Sequence, residues 1–191
     1  MNNDIIPTLG LEKDFMVIRY PEGKRSFEPT KDTFRLTNGA FILGLRGRLS
    51  LSMNLTSYDV TGNTLLTIIP HHIVQAQSIS DDFEGYIVLF TPSFAADTNL
   101  LRSNLPFMTE MRYNPLVNLT EDECILFTNF CRFFYNIEGN ELIGNSPEVR
   151  KGLLTSLLYT LGALYRRQLP QVPAEKQSRA NIIFKKFLAL L

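Results

Sequence analysis

Several scarcities bound what this chain does. Lys plus Arg number 19 and Asp plus Glu number 19, so the formal net charge is zero. A chain with no excess of one sign sets up no long-range field to gather nucleic acid or an anionic membrane. Direct DNA binding by these residues is therefore not expected. Histidine occurs twice, as adjacent His71 and His72. Neighbours on extended backbone point to opposite faces and do not readily chelate one ion, so no metal site is expected. Cysteine also occurs twice, at Cys124 and Cys131. Seven residues apart on one helix, the two stand roughly 10 Å from each other, beyond disulfide reach. Unpaired thiols suit a reducing cytosol. No apolar run reaches the ~18 residues that cross a bilayer, and the opening MNNDIIPTLG lacks the basic-then-apolar order of a signal peptide. A cytoplasmic protein with no membrane partner is the expectation. No P-loop, glycine-rich dinucleotide fingerprint or Ser-His-Asp order appears. No catalytic residue and no cofactor is expected.

What is present is a core-forming chain. It has 191 residues, 45% of them apolar, enough to bury a sizeable core. The stretch 39–54, GAFILGLRGRLSLSMN, organises its first half. Odd positions from Phe41 to Leu55 are apolar apart from Gly47, and even positions from Arg46 onward are polar. That period of two predicts extended chain with one buried and one wet face, and Gly47 is where a bend or bulge is cheapest. Further strands are expected at 15–20, 64–69 and 83–90, with an extended segment over 71–80. Tight turns are expected at Asn38-Gly39 and over 58–63. This rhythm predicts an antiparallel sandwich or barrel.

After Pro92 the pattern changes. A short helix is expected over 93–105 and irregular chain over 106–118. Thr120 with Glu123 forms a capping box, and Cys124, Phe127, Cys131 and Phe134 make a helical stripe to about residue 137. A loop over 139–145 leads to Ser146-Pro147-Glu148, a second helix start. That helix is expected to end near Gln168, before Pro170 and Pro173. Its Leu154, Leu157, Leu161 and Leu164 form a stripe wide enough to serve a partner as well as the barrel. Residues 170–177 read as a linker, and 178–191 as the start of another amphipathic helix.

Phe41-Ile-Leu with Arg46-Gly47, Pro70 after an apolar strand, and Asp82-Phe83 with Leu89-Phe90-Thr-Pro92 together resemble the AraC family of bacterial transcriptional regulators. The resemblance is to the family's regulatory half. It implies an α+β fold: an antiparallel cupin-like β-barrel or jelly roll over 1–115, then an α-helical hairpin over 116–170 that dimerises. Residues 171–191 are then similar to the linker and first helix leading into a missing helix-turn-helix domain, through which alone DNA would be bound. The implied partners are an unknown small-molecule effector and a second copy of the chain. Inward positions Leu43, Leu45, Met53, Ile87 and Leu89 would line a mainly apolar cavity, with Tyr86 supplying a polar tip. Arg46 aligns with a pocket arginine of the family's sugar-binding member, yet alternation places it on the wet face unless a bulge at Gly47 turns it inward. Two rivals stand beside this reading. One is a metal-dependent cupin enzyme, an isomerase or dioxygenase. The other is a pure dimerisation module whose barrel is fully packed.

Overall fold

The computed structural model describes residues 15–21, 33–93, 111–138, 140–144 and 146–168. The N-terminal arm, the 93–105 helix beyond its first residue, and the 171–191 segment anticipated above lie outside them.

Among the described residues, nine strands form two antiparallel sheets. The strands are β1 (Phe15–Tyr20), β2 (Phe34–Arg35), β3 (Gly39–Arg46), β4 (Arg48–Met53), β5 (Thr56–Thr61), β6 (Thr64–Ile68), β7 (Ile73–Ile79), β8 (Glu84–Phe90) and β9 (Leu116–Asn118). One sheet has the order β1-β8-β3-β6-β9 and the other β2-β7-β4-β5. Without β9, the orders 1-8-3-6 and 2-7-4-5 are those of an eight-stranded jelly roll, two interleaved Greek keys. The sheets stack face to face and are not closed into a barrel. Among the described residues three helices follow: α1 (Glu121–Glu138), α2 (Glu141–Gly144) and α3 (Pro147–Gln168). The fold is α+β.

The 39–54 stretch is two strands in two sheets, and the physics of its break decides where side chains go. β3 lies between β8 and β6, and Gly39 to Gly44 are all buried. Its odd residues Phe41 and Leu43 pack in a core shared with the helices, whereas even Ala40 and Ile42 pack between the sheets. Past Gly44 the pairing with β8 slips by one residue, so that Arg46 faces Glu84. Gly47 then turns the chain at φ +67° into β4. The slip reverses parity. In β4 it is the odd residues Leu49, Leu51 and Met53 that point between the sheets.

Other departures have local causes. The expected turn at Asn38-Gly39 is instead a crossing between sheets, since β2 pairs with β7 and β3 with β6 and β8. Gly39 is a strand residue whose missing side chain makes room for the Phe90 ring. The tight hairpin turn is Asn54–Leu55, with φ of 50° and 70°, between β4 and β5. Residues 58–61, expected as part of a turn, belong to β5, leaving Gly62–Asn63 to reverse the chain. β9 lies in chain expected to be irregular; it is short and recruited by pairing with β6, Leu65 opposite Val117. α2 occupies part of the expected loop, with the Asn140 Oδ1 accepting from the Ile143 N–H at 3.0 Å.

The helix starts form as their sequence dictates. Thr120 N–H donates to Glu123 Oε2 at 2.8 Å, and Glu123 N–H to Thr120 Oγ1 at 3.3 Å, both halves of a capping box. Ser146 Oγ accepts from the Val149 N–H at 3.3 Å. α1 turns Cys124, Phe127, Cys131 and Phe134 onto the outer face of the first sheet, and α3 adds Leu154, Leu157, Leu161 and Leu164. An Arg167–Glu123 pair at 2.7 Å joins the end of α3 to the start of α1, so the helices run antiparallel. The molecule is thus three layers with two apolar cores. One core lies between the sheets; the other lies between the first sheet and the hairpin.

Candidate ligand site

The seven side chains expected to line one cavity fall into three environments. Leu43 and Tyr86 are buried in the core beneath the helices, with Leu45 packed against it. Met53 and Leu89 are buried between the sheets, with Ile87 against that core. Arg46 stands in solvent, its side chain 67% exposed, with Nε 3.5 Å from Asp82 Oδ2 and Nη1 4.0 Å from Glu84 Oε1. Treating 39–54 as one strand of constant parity put Leu43 and Met53 on a common wall. The one-residue slip before Gly47 separates them. The slip does not bring Arg46 inward, because two carboxylates hold it outside.

The corner itself explains part of the sequence pattern. A β-carbon at Gly47 would lie 2.6 Å from the Phe83 backbone nitrogen, so the chain passes Asp82-Phe83 in direct backbone contact. Arg46 meets Asp82, and the Phe83 ring is buried between the sheets. Arg46-Gly47 and Asp82-Phe83, far apart in sequence, are two halves of one corner.

Between the sheets, Ile42, Leu49, Leu51, Met53, Val60, Leu66, Ile68, Phe83 and Leu89 are each 6% exposed or less. Beneath the helices a void of about 10 Å³ is lined by Phe41, Leu43, Leu65 and Val88 from the sheet, Phe127 and Cys131 from α1, and Leu157 and Leu161 from α3. That is room for about one water molecule. Nothing in the sequence pattern marks this spot, since a packing defect depends on how side chains from four elements meet.

The cysteines and histidines are placed unfavourably for chemistry. Cys124 and Cys131 are free and buried. Burial pushes the Cys131 thiol from its ordinary 9.0 up to about 12, with Cys124 adding to the rise. The Cys124 thiol is also raised, again by burial. Both are poor nucleophiles. His72 Nδ1 lies 3.0 Å from Met53 Sδ, and burial, with Arg112 nearby, holds its ring below the usual histidine range. His71 is exposed at φ +72°. Among the described residues no three His, Cys, Asp or Glu side chains gather as a metal site, and no helix is long and apolar enough to cross a membrane.

Leu154, Leu157, Leu161 and Leu164, expected as a dimer contact, are 0%, 2%, 0% and 6% exposed within the single chain. Their stripe is consumed by α1 and the first sheet. The apolar groups that the hairpin leaves outside are Ile125, Leu126 and Phe133 on α1 and Tyr159 on α3, at 46–59% exposure. Leu126 and Phe133 are seven apart and share a helix face; that spacing was the available signal, masked by the stronger stripe on α3.

No protein-family model matches the sequence, and no curated protein matches it. Several solved structures share its arrangement in part. Apo ToxT from Vibrio cholerae is 14% identical with a TM-score of 0.47, over 81% of this chain and 58% of that one. The AraC-like transcriptional activator CuxR is 14% identical with a TM-score of 0.46, over 81% and 51%. A cupin protein from Bacteroides fragilis is 15% identical with a TM-score of 0.31, over 41% and 64%. The chain thus spans between about half and two-thirds of the length of these proteins, and at such identity and overlap they assign it no activity.

Proposed function

We propose that this chain is the regulatory half of an AraC-type transcription regulator: a non-enzymatic module that senses a small molecule and dimerises. One observation supports it above others. The two sequence pieces that carry the resemblance, Arg46-Gly47 and Asp82-Phe83, meet at the corner where the jelly roll crosses between sheets, and a helical hairpin covers the sheet beyond. In this reading the jelly roll and the hairpin make no specific DNA contacts. Dimerisation uses the outer face of α1 rather than the buried leucines of α3.

A thermal-shift screen of small metabolites tests the sensing role. An effector at about 100 times its Kd stabilises by ~2.7 kcal/mol, a shift of roughly 5–10 °C for a chain of this size. A screen in which nothing stabilises the chain counts against sensing. Specific DNA binding that needs jelly-roll or hairpin residues counts against that assignment. Sedimentation tests the dimer: Leu126→Glu with Phe133→Glu gives a monomer with unchanged helicity, and a monomeric wild type sinks this part. The burial of the side chains between the sheets favours one rival, a packed dimerisation module with no ligand. It predicts a dimer and a blank screen.

A further inference from the structure

α1 carries apolar side chains on two sides. Its inner stripe, Cys124, Phe127, Cys131 and Phe134, lies in the seam between the hairpin and the first sheet. On the opposite side Ile125, Leu126 and Phe133 are about half exposed. Resting on the reading that this outer face is the dimer contact, we infer that residues 178–191 of the same chain dock there too. Tail and second copy then exclude each other, and the tail regulates assembly.

The pattern, charge and reach of the tail fit this face. In helical register Ile183, Phe184, Phe187 and Leu191 fall on one side, an apolar stripe to set against Leu126 and Phe133. The tail contains Arg179, Lys185 and Lys186 and no acidic residue. α1 opens with Glu121, Asp122 and Glu123, the first two exposed, and its one basic residue is Arg132. Opposite charges bordering an apolar contact favour it and suppress wrong partners. Arg167 Nη1 lies 2.7 Å from Glu123 Oε1, so α3 delivers the chain beside that acidic start. Residues 169–177 then separate α3 from the tail, a link that spans up to about 30 Å when extended. As a helix the tail is about 21 Å long, shorter than the ~27 Å of α1, and it lies along α1 without overhang.

Tethering decides the competition. A segment on so short a link meets the face at a millimolar effective concentration. A second copy meets it only at the bulk protein concentration. Both faces of a two-fold dimer must be bare. A tail in place about nine-tenths of the time therefore weakens dimerisation about a hundredfold.

Methyl NMR of the full 191-residue chain reads the docking. Nuclear Overhauser effects are expected between the methyls of Ile125 or Leu126 and those of Ile183 or Leu191. A mixture of two differently labelled chains, which reveals only contacts between copies, is expected to lack them. Tail contacts found only between copies, or none at all, overturn the proposal. Phe184→Glu with Phe187→Glu bares the face, so sedimentation is expected to show a dimer at least about tenfold tighter than wild type. An unchanged dimer Kd overturns the regulation. A chain that stays monomeric even with those substitutions defeats the dimer reading, and the contacts within one chain still decide the docking.

Discussion

Tyr165→Phe removes a single oxygen from a buried polar contact that ties α3 to the sheet. The hydroxyl is fully buried, 3.0 Å from Thr67 Oγ1 and 3.1 Å from the Pro115 carbonyl. The Pro115 carbonyl also accepts from the Thr67 N–H at 2.8 Å, so it keeps a partner when the phenol goes. Thr67 Oγ1, on a residue 1% exposed, loses the phenol, and no water reaches it. Leaving such a group short of a partner costs about 1–3 kcal/mol, or a fall in Tm of roughly 4–8 °C at the middle of that range. Thr67→Val deletes the other side and spares Tyr165 its contact with Pro115, so it costs less, about 1 kcal/mol. The double variant has neither group to leave unsatisfied. Its loss should fall short of the sum of the two single losses by about 1 kcal/mol or more. Urea unfolding followed by far-ultraviolet circular dichroism measures all four corners of the cycle. Additive losses, or a neutral Tyr165→Phe, refute the reasoning, because the hydroxyl would then have exchanged water for protein at no net gain.

Leu55 is wholly exposed at φ +70° and bears the ~1–2 kcal/mol strain of a left-handed residue with no packing in return. Leu55→Gly therefore raises Tm by about 2 °C after glycine's extra chain entropy is subtracted, and a lower Tm in calorimetry would refute this. Gly47→Ala meets both a φ of +67° and the backbone of Asp82-Phe83. It is expected to destabilise by ~3 kcal/mol or more in denaturant melts, and a loss under 1 kcal/mol would show that the corner is pliable. Cys131 binds its proton more tightly folded, at about 12, than the ordinary 9.0. Above pH ~9 the unfolded thiol ionises while the folded one does not, so stability falls by up to ~1.4 kcal/mol per pH unit towards pH 12 and is unaffected below 9. Cys131→Val flattens that part of the curve of urea midpoint against pH; an unchanged slope rules the thiol out as its source. Leu157→Asp buries a charge in the seam and unfolds the chain rather than splitting a dimer, as circular dichroism and sedimentation together will tell.

The two kinds of periodicity were legible because each is a one-dimensional record of burial. Period two marked the 39–54 stretch, and the capping box with its stripe marked α1, since a helix start needs only residues three apart to meet. β9 left no such record. Three residues form a strand there only because the β6 edge offers them partners. The candidate site was the least legible part, for a physical reason seen at residues 44–47. A one-residue slip costs the pattern nothing, because apolar residues continue on odd positions through it. Yet it exchanges the faces and sends Leu43 and Met53 into different cores. The stripe of Leu154, Leu157, Leu161 and Leu164 likewise announced a buried face without saying against what. The residue pattern alone called for an antiparallel sandwich or barrel followed by a helical hairpin. Which core each side chain entered, and where a void was left between them, was decided by tertiary packing. Burial is written along the chain, whereas the identity of the burying neighbour depends on residues far apart.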